Sequence, residues 1–503
     1  MVQQFPSDVD ITAFMKKPNV VLIYVDNQPA KMLGCAGNDE IHTPNLDMLA
    51  SEGIRFSEAF CPNAMCSPCR ASVLTGLMPS QHGVHTWIDD STIESWPQGW
   101  NALDEFVTMP ELLANDGYDT ALVGKYHLGI ADEPQNGFKY WVTFQVGHVL
   151  SFYNNKMIDN GDCFTYDGHS VEFFTQRAVD YVQERRHSPD QPFFMFLTYP
   201  APYGHWPSIK GEPENKFSEL YENTPFTSVR REGISDGLID WVLIRNEKAP
   251  DEDFQAYRDF IRMPNDLPTL RNYYSQMSIV DEGVGRVISA LEQTGQMEDT
   301  LVIYTSDHGM SLGEHGFWGH GEDTWPSNTH REANNIPLII KAPGAVEVGR
   351  VDDRLVCTMD IFATVLDYVG VGIPGDSRRP ARSLRPIIEN RSTDWSNVVF
   401  MEQEETRAIR TQEWLFMKRF GPTSFNFKNE LYDLTRDPDE RKNLAEDPAL
   451  QETVEMLSNR ISDFFDIHSE ARWNLWEGGI VKSNSTRPFL WKEVWGEEWT
   501  PGF

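Results

Sequence analysis

Five short stretches of this chain carry side chains able to do chemistry: Asp26-Asn27, Cys66-Ser67-Pro68-Cys69-Arg70, Lys125-Tyr126-His127, His205 and Asp307-His308. Asp26 and Asp307 offer hard oxygen ligands, Asn27 a carbonyl oxygen and His308 an imidazole. That mixed set suits a divalent cation, the oxygens favouring Ca²⁺ or Mg²⁺ and the imidazole drawing toward Mn²⁺ or Zn²⁺. The competing reading has Asp and Asn capping the helices that follow. The cysteine stretch also reads two ways, as the C-x-x-C of a thiol-disulfide enzyme or, one residue further, as C-x-P-x-R. Ser67 is expected as an N-cap with Pro68 at the first helical position, so a helix should start there with Cys66 just before it. The positive end of that helix stabilises an anion, a redox thiolate included. A dithiol enzyme, however, needs neither a metal set nor the lysine and histidines gathered with it.

These groups follow apolar runs. NVVLIYV (19–25), DTALVG (119–124), FFMFLTY (193–199), TLVIYTS (300–306) and IPLIIK (336–341) read as strands buried on both faces. Helical patterns lie between them at 44–53, 68–76, 109–116, 170–186, 268–293 and 359–369. The alternation predicts an α/β fold, a large, mostly parallel sheet flanked by helices, and in such sheets ligands sit at the carboxyl ends of strands. After about Gly375, NVVFMEQ, RAIRT, WLFMKRF and ELYDLT predict short antiparallel strands, followed by a helix over 448–466. The expected organisation is a catalytic α/β unit over 1–375, with a polar insertion at 206–266 that could form a lid or pocket rim, then a smaller α+β subdomain over 376–486. An aromatic tail over 487–503 is expected to dock on a neighbouring subunit of a homo-oligomer.

With 43 Lys and Arg against 76 Asp and Glu, the net charge is −33, a field that repels nucleic acid and anionic membranes. An anionic substrate then needs a local positive pocket, which makes clustered Lys, Arg and His informative. Six irregularly spaced cysteines form no disulfide framework. No run of apolar residues is long enough to span a membrane and no signal peptide opens the chain, so the expected location is the cytoplasm.

The longer motif, with ASVLTGLMPSQHGV after it, resembles the signature of formylglycine-dependent sulfatases of the alkaline phosphatase superfamily. VLIYVDNQ, GKYHLG, GHWP, TSDHGMSLGEHG and ELYDLTRDPDERKNL extend that resemblance over most of the chain. It implies an alkaline phosphatase-like fold and hydrolysis of a small-molecule sulfate ester. Cys66 would be oxidised by a formylglycine-generating enzyme, and Asp26, Asn27, position 66, Asp307 and His308 would hold one divalent metal, Ca²⁺ first and Mn²⁺ or Mg²⁺ next. The hydrated aldehyde would be the nucleophile, with Arg70 neutralising charge, Lys125 and His205 clamping the sulfate and protonating the leaving oxygen, His127 bonding the hydrate and His320 binding substrate.

Three departures bear on this. The family commonly has Asp-Asp where this chain has Asp26-Asn27, and Asp-Asn where it has Asp307-His308. The latter pair also resembles phosphonate monoester hydrolases and choline sulfatases. Cys69 replaces a small hydroxyl residue and makes a Cys66–Cys69 disulfide conceivable. The rival readings are therefore a phosphonate monoester or phosphodiester hydrolase and, more remotely, an unmodified binding protein or thiol enzyme. His82 is open between a core and a functional role, and Trp87, Trp96 and Trp100 could form a stacking wall for a sugar or aryl ring.

Overall fold

Strand β1 (Asn19–Asp26) is buried along its whole length. Val20, Leu22 and Tyr24 join the apolar cluster on one face of the sheet, while Val21, Ile23 and Val25 join that on the other, as the two-residue period of a strand requires. In the computed structural model, residues 16–90, 96–147, 149–205, 214–248, 259–344, 347–373, 378–483 and 487–502 are described.

Chain order gives β2 (Ile54–Phe56), β3 (Asp119–Gly124), β4 (Tyr140–Phe144), β5 (Asn155–Asp159), β6 (Asp162–Tyr166), β7 (Phe193–Pro202), β8 (Thr300–Ser306), β9 (Leu338–Lys341) and β10 (Arg350–Asp352). They form a ten-stranded sheet ordered β10-β2-β9-β8-β1-β7-β3-β4-β5-β6. The central block β8-β1-β7-β3-β4 is parallel, and β9 and β5 each pair antiparallel with it. Helices α1 (Pro44–Glu52), α4 (Ser170–Arg185) and α6 (Leu267–Gln293) cover one face. Helices α2 (Cys66–Thr75), α3 (Met109–Asn115) and α7 (Asp360–Val369) cover the other. Among the described residues no helix is long and apolar enough to cross a membrane.

The predicted strands and helices are present within a few residues of their expected limits. The hairpin β5-β6 was not expected. Its strands are short and polar, but Asn160 and Gly161 at its turn both take positive φ, 50° and 96°, the signature of a tight two-residue hairpin. The expected insertion lies partly outside the described residues. Its described part contains α5 (Asp236–Lys248), whose Leu238, Trp241 and Val242 are buried.

A separate four-stranded antiparallel sheet comprises β11 (Val398–Gln403), β12 (Thr406–Thr411), β13 (Trp414–Arg419) and β14 (Glu430–Asp433). Helix α8 (Gln451–Ile467) packs Leu457, Ile461 and Phe465 on it, and Phe60, Met78 and Met359 of the large unit share the same core.

The described part of the aromatic tail packs on its own chain. Helix α9 (Pro488–Trp495) buries Leu490 and Trp491 against its own chain, and Trp499 is buried with them. Arg487 directs this docking. Its guanidinium binds both oxygens of Glu405 at 3.0 and 3.2 Å, Ser327 Oγ at 2.7 Å and the Glu322 carbonyl at 2.6 Å, while its backbone N–H donates to Glu404 Oε1 at 3.1 Å. Burial, against the pull of Arg487, raises Glu404 to about 7. Arg487→Ala strips a buried pair of its cation, a change that costs roughly 3–5 kcal/mol. Because Glu404 can take a proton, the expected loss is near the lower end, about 3 kcal/mol, and thermal unfolding of the variant reads it.

Candidate active site

Strands β8, β1, β7 and β3 are consecutive neighbours, so their carboxyl ends form one row. Asp307 follows β8, Asp26 ends β1, His205 follows β7 and Lys125 follows β3. Gly124 makes the last placement possible. Its φ is 120°, and a Cβ there would lie 1.9 Å from the Thr198 carbonyl oxygen, so only glycine permits so close a crossing of β3 and β7.

Helix α2 brings the motif to this row from the sheet face. It begins at Cys66, with Met65 as N-cap and no capping side chain. The expectation of Ser67 as the cap is corrected: its Oγ accepts the Ile88 N–H at 3.1 Å instead. Cys66 and Arg70 are one helical turn apart and share a face. Cys66 Sγ lies 3.5 Å from Asp26 Oδ1 and 3.5 Å from His308 Nε2. Arg70 Nη2 meets Asp26 Oδ2 and Asp307 Oδ2, each at 3.1 Å, and Nη1 donates to the Lys125 carbonyl at 2.7 Å. Lys125 Nζ lies 2.7 Å from Asp26 Oδ2.

Two carboxylates and two permanent cations are thus buried together in balance. Burial would raise the Asp26 carboxyl, but Lys125, Arg70 and His308 hold it at about 2. The Cys66 thiol is pushed well above its ordinary value, first by burial and then by Asp26. At neutral pH an unmodified Cys66 is therefore a neutral thiol. Cys69 Sγ points elsewhere, donating to the Asn63 carbonyl at 2.6 Å, and both cysteines are free. This geometry opposes the dithiol reading.

The ligand atoms of Asp26, Cys66, Asp307 and His308 all lie within 4.8 Å of one another. Two further observations suit a cation there. His308 Nδ1–H donates to the Gly309 carbonyl at 2.8 Å, which fixes the tautomer and turns the Nε2 lone pair toward Cys66. Asn27 Oδ1 is buried without a hydrogen-bond partner, beside Asp26 and in a left-handed backbone with φ 65°. A hard cation would satisfy that oxygen.

His127 is buried. Its Nε2–H donates to the Ile88 carbonyl at 2.9 Å, and Ile88 in turn bonds Ser67, so the ring is tied to the start of α2. His205 and His320 stack at 4.4 Å, and the His320 ring stands 4.6 Å from that of His308. Phe260, from the end of the insertion, meets His205 edge-on at 5.4 Å. His82 is a core residue, its Nε2 bonded to Ser72 Oγ at 3.0 Å and its charged form strongly disfavoured by burial. Trp96 and Trp100 are corrected to core as well; they are buried and pack edge-to-face at 5.0 Å.

Sequence reading missed Asp323, whose carboxylate faces both His205 and His320. The signal was the GHGED turn, which returns an acid three residues after His320. A further group, His315, His330 and Glu440, also gathers in space. There His315 faces Glu332 and Arg441, and His330 faces Glu440, all at about hydrogen-bonding distance, as in a network that ties a loop to the C-terminal sheet.

The family model for Sulfatase matches residues 18–371. The chain belongs to the sulfatase family. It is a sulfuric ester hydrolase, as are the curated relatives named as sulfatases. A second model, N-sulphoglucosamine sulphohydrolase, C-terminal, matches residues 313–466. An N-acetylglucosamine-6-O-sulfatase of Bacteroides thetaiotaomicron is 27% identical over 488 residues, 85% of this chain and 83% of the relative. An arylsulfatase of Clostridium perfringens is 26% identical, covering 88% of this chain and 93% of its own. A solved structure in complex with its substrate, D-glucosamine-2-N,6-O-disulfate, superposes with a TM-score of 0.70 at 24% identity, over 90% of this chain and 98% of the other. The phosphonate monoester hydrolase of Agrobacterium radiobacter does so at 0.66 and 19% identity, over 91% and 97%. At those identities the structures speak for the shared alkaline phosphatase-like fold.

Proposed function

We propose that this sulfatase hydrolyses the sulfate ester of an amino sugar, with Cys66 converted to formylglycine and a divalent cation, Ca²⁺ first, held by Asp26, Asn27, Asp307 and His308. The observation that carries the reading is the convergence of Asp26 and His308 on Cys66 at the start of the C-x-P-x-R helix. The sugar rests on the N-acetylglucosamine-6-O-sulfatase relative.

When present, the aldehyde hydrate at position 66 and the cation supply a nucleophile that ionises near neutral pH. The chain's own residues do the rest. Arg70 and Lys125 place two fixed positive charges beside the reacting centre and offset the charge that accumulates on the sulfate oxygens. His127, held by Ile88 through Nε2, lies ready to hydrogen-bond a hydroxyl of the hydrate. His205 donates a proton to the departing alcohol oxygen. Cys66 is only 4% exposed, so a formylglycine-generating enzyme must meet the segment before the chain folds around it.

His205→Ala is expected to slow alkyl and sugar sulfates by about 10²–10⁴-fold, and nitrophenyl sulfate much less, because a nitrophenolate leaves without a proton. Steady-state rates on the two esters check this, and equal losses would reduce His205 to a binding residue. One observation favours a second reading: His308 at the cation site makes the Asp307-His308 pair, as in phosphonate monoester hydrolases. Rates on glucosamine 6-sulfate, nitrophenyl sulfate and a phosphodiester decide; a preference for the phosphodiester would displace the sulfate ester as substrate.

A further inference from the structure

Asp323 is buried at 2% exposure, and no role given so far accounts for it. Its Oδ2 lies 3.2 Å from His205 Nε2 and 3.5 Å from His320 Nδ1, and accepts the His320 backbone N–H at 2.8 Å. Among the described residues these two histidines are its ion-pair partners. The turn is built for this contact. Gly319 has a φ of 138°, and a Cβ there would lie 2.2 Å from Asp323 Oδ2, so a side chain at 319 would displace the carboxylate from the His320 N–H. A buried carboxylate costs several kcal/mol unless well paired, and a purely structural carboxylate would be better served by a lysine or arginine than by two histidines. The position is also telling: through His320 the trio adjoins His308, and through it the site around Cys66.

We propose that Asp323 is a positioning residue for the reaction. It turns Nε2 of His205 and Nδ1 of His320 toward its Oδ2, so the opposite nitrogens, His205 Nδ1 and His320 Nε2, are the ones offered to the sulfate ester. In the doubly protonated ring that acts as the donor, the proton on Nε2 faces this carboxylate and the proton on Nδ1 is the one given up. As the bond from sulfur to the alcohol oxygen breaks, its electron pair goes to that oxygen and the Nδ1 proton follows. The ring is left neutral and regains a proton from solvent. The inference rests on the reading of His205 as proton donor. It adds that the donor's orientation, and that of His320, comes from one carboxylate in the last fifth of the large unit's sequence.

The test is Asp323→Asn, which keeps the volume and an oxygen for the His320 N–H but removes the charge. Expected is a fall in kcat of about 100-fold on an alkyl or sugar sulfate and less than about 10-fold on nitrophenyl sulfate. In the His205→Ala background the same substitution should cost less than about 3-fold, because residues that act through one another are not additive. Equal losses on both esters together with a full loss in the His205→Ala background would mark Asp323 as merely structural and overturn the proposal. Equal losses for His205→Ala alone would overturn the proton-donor reading. Asp323 would then stand as a positioning residue if its effect vanishes in that background, and fall if it persists. Should the Asn variant fail to fold, Asp323→Ser decides by the same comparison.

Discussion

Cys66→Ala is expected to abolish turnover of sulfate esters, by on the order of 10⁴-fold or more, with little effect on folding. Removing a nucleophile that acts as part of a catalytic unit can cost about 10⁶-fold, and this site has no substitute. The thiol itself is held neutral by burial and by Asp26, Cys69 donates to the Asn63 carbonyl, away from the site, and Ser67 is occupied by the Ile88 N–H. The stability effect should be small, about 1 kcal/mol, since the polar contacts of Cys66 Sγ among the described residues are two long ones of 3.5 Å. The companion measurement is mass spectrometry of the tryptic peptide ending at Arg70, in which conversion exchanges H₂S for an oxygen. Activity should scale with the converted fraction. Full activity in a sample with an intact Cys66 would refute the nucleophile. Because the residue is buried, folded unconverted protein should also resist a formylglycine-generating enzyme that converts the free peptide.

Much of this was readable from the residues, for physical reasons. Strands of a parallel sheet are buried on both faces and therefore appear as continuous apolar runs, which is why β1, β3, β7 and β8 stand out. The groups that follow each run are necessarily at the ligand-binding edge, which is why Asp26, Lys125, His205 and Asp307 could be placed together before any geometry. The edge hairpin was harder because β5 and β6 lack that apolar signature; only Asn160-Gly161 announces it. Asp323 was obscured for a different reason. Its partners lie 118 residues away at His205 and three residues away at His320, and a spacing of three within a glycine turn has no periodicity to read. The tail illustrates the limit of composition: Trp491 and Trp499 announce that the segment must be covered, but what covers it depends on Arg487 finding Glu404 and Glu405, a pairing between distant stretches.

The second large effect concerns the cation. Chelation is expected to lower turnover by more than about 100-fold, because the nucleophile then has no metal ion bound to it to make it acidic, and Ca²⁺ should restore it. A readout independent of activity is available. A cation bound only to the folded chain at about 100 times its Kd adds about 2.7 kcal/mol, so the unfolding temperature should rise with Ca²⁺. Asp307→Asn should remove that rise and the activity while leaving the metal-free protein nearly as stable, since Arg70 keeps Asp26 as its partner at 3.1 Å. Asp26→Asn should behave differently. It takes from Lys125 the carboxylate with which it pairs in a fully buried site, while Arg70 keeps Asp307, and leaving a buried charge unpaired costs roughly 3–5 kcal/mol even with no metal present. The contrast separates a ligand whose loss is felt only through the cation from one that also neutralises Lys125. If chelated and Ca²⁺-loaded samples unfold at one temperature and turn over at one rate, Asp26, Asn27, Asp307 and His308 do not hold a metal.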